Sequence, residues 1–235
     1  MVFNFLQNLN KQKNESNEVE LSLDLTPDEQ IVIKFLNNMD RNFGSTDKGR
    51  IEQGTYFEKF LASVFTLAKY RVEITKKSSN YDNRQYMGDG GIDLVLTKGK
   101  ERIAVQAKSK RLNSNSYCLI GDEDIKNFAG ISDGNWTRKM YITTSFFNSY
   151  ACEQIETNEK AQKIEWYDRY RLLQLLNELI PETMLKYQLF TTLPKDVYVC
   201  PRCKKGMMVR LWSKKENKQF RGCSLYCGHT ESIKN

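Results

Sequence analysis

The sequence has one histidine (His229), no apolar run long enough to cross a bilayer, and no G-x-x-x-x-G-K-[ST] motif. A single histidine excludes a two-histidine metal centre and leaves Ser145 without the partner that a serine-hydrolase triad requires. The missing phosphate-binding loop means that any ATP-driven movement would need another subunit. The chain also shows no basic, apolar leader, so we expect a cytoplasmic protein without a membrane anchor.

Basic residues outnumber acidic ones. The 235 residues include 36 Lys+Arg and 29 Asp+Glu, which gives a formal net charge of +7. A polyanionic partner such as DNA is compatible with this charge, because neutralising phosphates releases condensed counterions. Hydrophobic residues make up 40% of the chain, which is enough to bury the core of one good-sized domain with a small appendix.

Strand-like and helix-like patterns alternate along the chain, which favours an α/β fold with a central mixed sheet flanked by helices. Residues 1–26 are polar and suggest a flexible arm, and residues 27–50 suggest a helix followed by a loop. The main domain is expected over residues 51–188, with its first helix after Gly54, and a small separate unit over residues 196–235. Further strands are predicted at 70–74, 92–97, 102–108, 139–143 and 164–166, and further helices at 122–130, 149–162 and 168–179, the last ended by Pro181.

A predicted hairpin carries the first candidate site. Asp93 lies just inside its first strand, after a glycine pair, and the second strand contains Gln106 and Lys108. Alternation along a strand places Gln106 and Lys108 on one face, opposite Ile103, Val105 and Ala107. The adjacent strand can bring Asp93 alongside this polar pair.

These residue types suit phosphodiester hydrolysis. A hard cation such as Mg²⁺ prefers a few oxygen ligands, which the Asp93 carboxylate, the Gln106 amide and the Ala107 carbonyl can supply. Lys108 can orient the attacking water or offset charge on the phosphate. Glu58 lies at the edge of a helical apolar stripe and can point inward as a further ligand. Each residue alone would be an ordinary surface group; together they favour a catalytic site with Asp93 and Glu58 as its only carboxylates.

The same residues carry a family resemblance. The segments G-T-Y-F-E (54–58), G-D-G-G-I-D (88–93) and A-V-Q-A-K (104–108) resemble the Mrr-type branch of the restriction-endonuclease superfamily, in which D…(D/E)-x-K appears as D…Q-x-K. T-T-S (143–145) and K-I-E-W-Y-D (163–168) resemble the closing segment of that family. The resemblance implies a mixed sheet flanked by helices, Mg²⁺-dependent DNA cleavage, and catalytic roles for Glu58, Asp93, Gln106 and Lys108.

Four cysteines define a second candidate site near the end of the chain. Cys200, Cys203, Cys223 and Cys227 form C-x2-C and C-x3-C pairs, a spacing typical of a structural zinc ribbon. The surrounding pattern resembles the C-terminal ribbons of type IA DNA topoisomerases, which bind single-stranded DNA. The second pair is closer together than in that family, so His229 is an alternative to Cys227 as the fourth ligand.

Cations and flat rings alternate in this tail and could contact DNA phosphates and bases. A second interpretation is that Trp212 and Phe220 simply form the core of the ribbon. Two basic residues beside the nuclease site, Lys110 and Arg111, could also hold backbone phosphates. The candidate DNA contacts are Arg210, Trp212, Lys214, Lys215, Phe220, Arg221, Tyr226, Lys110 and Arg111.

The sequence therefore predicts a Mg²⁺-dependent DNA endonuclease, acting in restriction or another defence against foreign DNA, with a zinc ribbon that aids DNA binding. Two alternatives stay open: a nuclease fold that only binds DNA, and a repair or junction-resolving nuclease. Cutting both strands needs two active sites, so a homodimer or a higher oligomer is expected on DNA.

Overall fold

The structure is a computed structural model that describes residues 25–75, 91–112, 119–131, 135–186, 194 and 196–233. The predicted arm over residues 1–26 falls almost wholly outside these ranges, as do the loop before Gly91 and the linker that precedes the cysteine-rich tail. None of the helices in the described part of the chain is both long and apolar enough to span a membrane.

The main body alternates strands and helices, as the sequence predicts. Its helices are α1 (Pro27–Asn37), α2 (Asp47–Leu67), α3 (Asp122–Ala129), α4 (Ser149–Thr157), α5 (Arg169–Leu179) and α6 (Pro181–Lys186), with a 3₁₀ turn at Ala161–Lys163. Its strands are β1 (Arg71–Ile74), β2 (Leu94–Lys98), β3 (Glu101–Lys108), β4 (Arg138–Thr143) and β5 (Glu165–Tyr167).

The five strands form one mixed sheet in the order β1-β2-β3-β4-β5. The three N-terminal strands pair antiparallel, whereas β3 with β4 and β4 with β5 pair parallel. The start of β2 therefore lies beside the end of β3, with Leu94 opposite Val105. The end of β3 in turn lies beside the end of β4, with Lys108 opposite Thr143. This corner of the sheet brings the candidate catalytic residues together.

Helices cover both faces of the sheet, because alternate residues of the central strands are apolar on each side. Val105 and Ile142 belong to a buried cluster that also takes in α1, α2 and α5. Tyr141, which precedes Ile142 on β4 and so faces the other side of the sheet, belongs to a second cluster with Ile125 and Phe128 of α3. The mixed α/β fold predicted from the sequence is thus confirmed, and each face of β3 and β4 has its own set of helices.

The long helix α2 begins earlier than the sequence suggested. We expected a helix followed by a loop over residues 27–50 and a second helix after Gly54, but α2 starts at Asp47 with Thr46 as its N-cap. The Thr46 hydroxyl accepts a hydrogen bond from the Gly49 N–H at 3.2 Å. A Cβ at Gly49 would lie 2.1 Å from the Phe43 carbonyl oxygen, so glycine permits a close backbone approach here rather than ending the helix.

One other helix end differs from expectation. The helix predicted over residues 149–162 ends at Thr157, because the Asn158 side chain accepts hydrogen bonds from the Lys160 and Ala161 N–H groups and starts a separate 3₁₀ turn. The helix predicted over residues 168–179 does end at Leu179, before Pro181; Pro181 then opens the further helix α6, in keeping with the preference of proline for the first helical turn.

A buried ion pair ties the N-terminal helices to the sheet corner. Arg169, 3% exposed, donates to both Asp40 oxygens, at 2.9 Å from Nη1 and 2.7 Å from Nη2. The Leu112 N–H donates to the same carboxylate at 3.0 Å. Asp40 therefore joins the loop after α1, the first residue of α5 and the segment that follows β3.

The cysteine-rich tail forms its own antiparallel sheet and packs against the main body. Its strands are β6 (Tyr198–Val199), β7 (Met207–Ser213), β8 (Lys218–Cys223) and β9 (Thr230–Ser232), in sequential order. Val197 and Val209 are buried together with Leu112, Leu119 and Phe146 of the main body. The tail is thus docked beside the segment that follows β3, rather than being a free appendix.

Candidate functional site

Asp93 and Gln106 meet at the sheet corner. Asp93 immediately precedes β2 and is 5% exposed. Its Oδ2 accepts hydrogen bonds from the Ala107 N–H at 2.8 Å and from Gln106 Nε2 at 3.3 Å. The Asp93 N–H donates to the Val105 carbonyl at 2.8 Å. The structure therefore brings the acid and the amide together as strand pairing suggested, with the carboxylate held by the backbone of β3.

Gly91 leaves room for the Gln106 side chain. Its φ of +79° is in the left-handed region, and a Cβ there would lie 2.9 Å from Gln106 Oε1. A larger residue would be strained in the backbone and would displace this amide oxygen. The glycine before Ile92 is thus required by both its conformation and the close approach of Gln106.

Tyr141 on β4 is a further polar residue beside Gln106. It pairs with Gln106 in the register of β3 and β4, and its side chain is 1% exposed. Among the described residues its hydroxyl has no hydrogen-bond partner. Burial first, and then the charges of Asp124 and Asp93, raise the pKa of Tyr141 well above its ordinary value. A buried donor without a partner costs free energy, so this corner suits a polar guest such as water.

Lys108 ends β3, and its partner was not anticipated. Its Nζ lies 3.2 Å from Asp124 Oδ1, and Lys110 Nζ lies 3.7 Å from the other oxygen of the same carboxylate. The expectation that Asp93 and Glu58 are the only carboxylates of the site is therefore wrong. The spacing of acids along the chain carries no signal for Asp124, because its contact depends on how α3 packs against the sheet.

Glu58 lies on α2 and is 7% exposed. This helix contacts β2 and β3, and Gln53 on it donates a hydrogen bond to Ser109 Oγ at 3.2 Å. Glu58 is thus buried on a helix that reaches the end of β3. Its inward orientation agrees with the sequence expectation, whereas its catalytic role stays a prediction.

The backbone around Lys108 is fixed by two threonines of β4 and the following turn. Thr143 Oγ1 donates to the Lys108 carbonyl at 2.7 Å. Thr144 Oγ1 accepts from the Lys110 N–H and donates to the Lys110 carbonyl, both at 2.8 Å. Both threonine side chains are fully buried. These bonds hold the Lys108–Lys110 segment, so that only the long lysine side chains remain to be oriented.

The four tail cysteines converge into one cluster. The Sγ atoms of Cys200, Cys203, Cys223 and Cys227 all lie within 4.8 Å of one another. Gly206 passes so close to this cluster that a Cβ there would lie 2.5 Å from Cys223 Sγ. The N–H groups of Gly206 and Lys205 lower the pKa of Cys203 and so favour its thiolate form.

His229 takes a different position from the cysteine cluster. Its Nε2 lies 3.2 Å from Glu231 Oε1, and Cys227 Sγ lies 3.6 Å from Cys200 Sγ. The geometry therefore favours Cys227 over His229 as the fourth ligand of a metal ion. Four thiolates at this separation match a closed, structural site.

The candidate DNA contacts of the tail do not form one free surface. Arg210 pairs with Asp196, and Arg221 pairs with Glu231 at 3.3 Å. Trp212 is 40% exposed and shares a shallow groove with the half-buried Phe220 and Tyr226. Lys214 and Lys215 are exposed in the turn between β7 and β8, whereas Lys110 is held by Asp124 and Arg111 is half-buried.

A five-stranded mixed sheet, with helices on both faces and an acid and a Gln-x-Lys triplet on adjoining strands, defines a restriction-endonuclease-like domain. The sequence profile of the restriction endonuclease family represented by the Mrr catalytic domain matches residues 51–176. The match spans more than half of the chain, and the chain belongs to this family. No curated protein matches the chain.

Proposed function

We propose that this protein is a Mg²⁺-dependent endonuclease that hydrolyses phosphodiester bonds in DNA, in cytoplasmic defence against foreign DNA. Membership of the restriction endonuclease family supports nuclease activity and DNA binding. The observation that carries the proposal is the contact between Asp93 and Gln106 at the end of the strand that bears Lys108.

The residues at the sheet corner fit a hard divalent cation. Asp93, Gln106 and the Ala107 carbonyl offer oxygen atoms, which Mg²⁺ prefers to nitrogen or sulfur. The buried Tyr141 hydroxyl nearby, without a partner in the described part of the chain, suits a retained water molecule. Asp93, Gln106 and Glu58 would hold the cation, which when bound supplies polarisation of the phosphate and acidification of a water.

The protein side chains then orient the reaction. Lys108 would offset the charge that develops on the phosphate oxygens. The water oxygen would bond to phosphorus and give up a proton as the bond from phosphorus to the 3′ oxygen breaks, and the leaving 3′ oxygen would take up a proton, which leaves a 3′-hydroxyl and a 5′-phosphate. The described part of the chain carries one such site, so cleavage of both strands would need two active sites and therefore two copies on the DNA.

The tail would bind a structural zinc ion and contribute to DNA binding. Four clustered thiols fit Zn²⁺ and can stabilise a unit that is too small to bury a large core. Exposed Lys214 and Lys215 would bind phosphates, and the ring of Trp212 could stack on an exposed base.

A plasmid-nicking assay with Mg²⁺ tests the proposal. The substitution Asp93→Asn keeps the shape of the side chain and an acceptor for the Ala107 N–H, but removes the charge needed by a cation. We expect it to abolish nicking, while Asp122→Asn, a matched acid that pairs with Lys126 on α3, cleaves like the wild type. Melting temperatures of both variants would show that each is folded.

Equal nicking by the wild type and Asp93→Asn would overturn the assigned site. DNA binding without cleavage in any metal would instead indicate a nuclease fold that only holds DNA. Preference for four-way junctions over methylated and unmethylated plasmids would indicate a repair or recombination nuclease. The ratio of nicked to linear product, measured against protein concentration, would show whether two copies act together.

A further inference from the structure

Asp124 contacts two lysines at and just after the end of β3, Lys108 and Lys110. Its Oδ1 is 3.2 Å from Lys108 Nζ, and its Oδ2 is 3.7 Å from Lys110 Nζ. Lys110 Nζ also donates to the Leu119 carbonyl at 2.6 Å. Each carboxylate oxygen thus contacts a different lysine, and the nearer lysine is the candidate catalytic residue Lys108.

Asp124 differs from the other acids in the first turn of α3. The Asp122 side chain pairs with Lys126, one turn further along the same helix, at 2.7 Å, and Glu123 is exposed. Asp124 has a side chain that is only 23% exposed. Among the described residues it is therefore the one acid of this turn that contacts the end of β3.

The helix that carries Asp124 is firmly fixed to the sheet. Ile125 and Phe128 are fully buried in the cluster beneath it. Just before the helix, the Ile120 N–H donates to the Phe146 carbonyl at 2.9 Å, and the Asn148 N–H donates to the Ile120 carbonyl at 3.0 Å. The backbone of Asp124 is thus anchored to the segment after β4, which gives the carboxylate a rigid base.

Through its contact with Lys108, Asp124 also lies beside the end of β3, the strand that carries the candidate ligand Gln106. The charges of Asp124 and Asp93 both act on Tyr141, after burial, to raise its pKa. Tyr141 pairs in register with Gln106. Asp124, contributed by α3, is therefore a third carboxylate near the sheet corner.

We propose that Asp124 is a positioning residue that directs the ammonium group of Lys108 toward the scissile phosphate, an inference that rests on the proposed nuclease function. Lys108 has a flexible four-carbon stem and a side chain that is 44% exposed. An exposed ion pair adds little to folding stability. It does reduce the number of rotamers that the lysine samples, and catalysis depends on such orientation.

The kinetic test compares Asp124→Asn with Asp122→Asn. We expect Asp124→Asn to lower kcat on the order of tenfold, with little change in KM for DNA, because Lys108 then loses its fixed direction. Asp122→Asn should match the wild type, and Asp124→Glu, which keeps the carboxylate, should recover part of the rate. A merely structural role would instead lower the melting temperature without this selective loss of kcat.

A chemical test does not depend on cleavage. Limited acylation of lysines in the DNA-free protein, read by mass spectrometry, would report how each amine is held. In Asp124→Asn we expect Lys108 to react several-fold faster and Lys126 to be unchanged; in Asp122→Asn the pattern should reverse. The two variants are thus controls for each other.

Three results would overturn the proposal. Unchanged acylation of Lys108 in Asp124→Asn would show that the contact does not hold the amine. Faster cleavage by that variant would show that Asp124 restrains Lys108 rather than directs it. Absence of cleavage by the wild type would overturn the nuclease function and this role with it, even if the acylation pattern confirmed the contact.

Discussion

The ion pair between Asp40 and Arg169 should be the most costly single contact to break near the candidate active site. Both Asp40 oxygens accept from the guanidinium, and the Leu112 N–H shares one of them. Arg169 is 3% exposed and the Asp40 side chain 16%. The substitution Asp40→Ala would therefore leave a buried cation and a backbone N–H without their acceptor.

The expected loss follows from this burial. Removing one partner of a buried ion pair costs about 3–5 kcal/mol, because the remaining charge is left uncompensated. We expect the lower end, about 3 kcal/mol, since Asp40 lies close enough to the surface for water to replace it in part. For a chain of this length that loss lowers the melting temperature by roughly 6–12 °C.

Thermal unfolding of matched variants would measure the loss. Asp47→Ala removes an acid whose partner, Arg50, is 69% exposed, so it should cost less than about 1 kcal/mol. The double substitution Asp40→Leu with Arg169→Met removes both charges and should recover much of the stability lost in Asp40→Ala. If Asp40→Ala melted within about 2 °C of Asp47→Ala, the reasoning from burial would be refuted.

Three further predictions concern the tail, DNA binding and pH. Replacing Cys203 by serine should lower zinc content and speed hydrogen exchange at Val209, whereas Cys152→Ser, outside the cluster, should do neither. Replacing Lys214 and Lys215 by alanine should reduce the slope of the logarithm of the DNA-binding constant against the logarithm of the salt concentration by about 1.4 for single-stranded DNA. The control Lys100→Ala, in the turn between β2 and β3, should not change this slope in the same way. Glu165 accepts two hydrogen bonds from Arg138 at 2.6 and 2.8 Å, which lower its pKa. Its stabilising effect is thus present above its unfolded pKa and lost as the pH falls through the folded value; Glu165→Gln should flatten the loss of stability in acid and cost about 0.5–1 kcal/mol at neutral pH.

Much of the sheet corner could be predicted from the sequence because local rules determine it. Strand alternation put Gln106 and Lys108 on one face, and the short turn at Gly99 and Lys100 made the hairpin recognisable. Antiparallel pairing then left few positions for Asp93 other than beside Gln106. The cysteine cluster was equally accessible, since ligand spacing alone suggests a metal site.

The features that were missed depend on tertiary packing. Gly49 and Gly54 resemble helix breakers, each costing about 1 kcal/mol relative to alanine, yet α2 runs through both because its apolar face is buried. The contact of Asp124 with Lys108 depends on how α3 docks against the sheet. No periodicity within either segment encodes that docking.

The position of the tail has a consequence for the candidate active site. Leu112 is 1% exposed in the cluster that includes Val197 and Val209 of the tail, and its N–H binds Asp40. Lys108 lies only one short extended segment away, and Lys110 in that segment is held by Thr144. Loosening the tail would remove the contacts of Val197 and Val209 with Leu112. The segment between Lys108 and Leu112 would then be less firmly fixed. The ribbon should therefore affect the geometry of cleavage as well as the binding of DNA, and a variant that loses zinc should lose kcat even on substrates that saturate the enzyme.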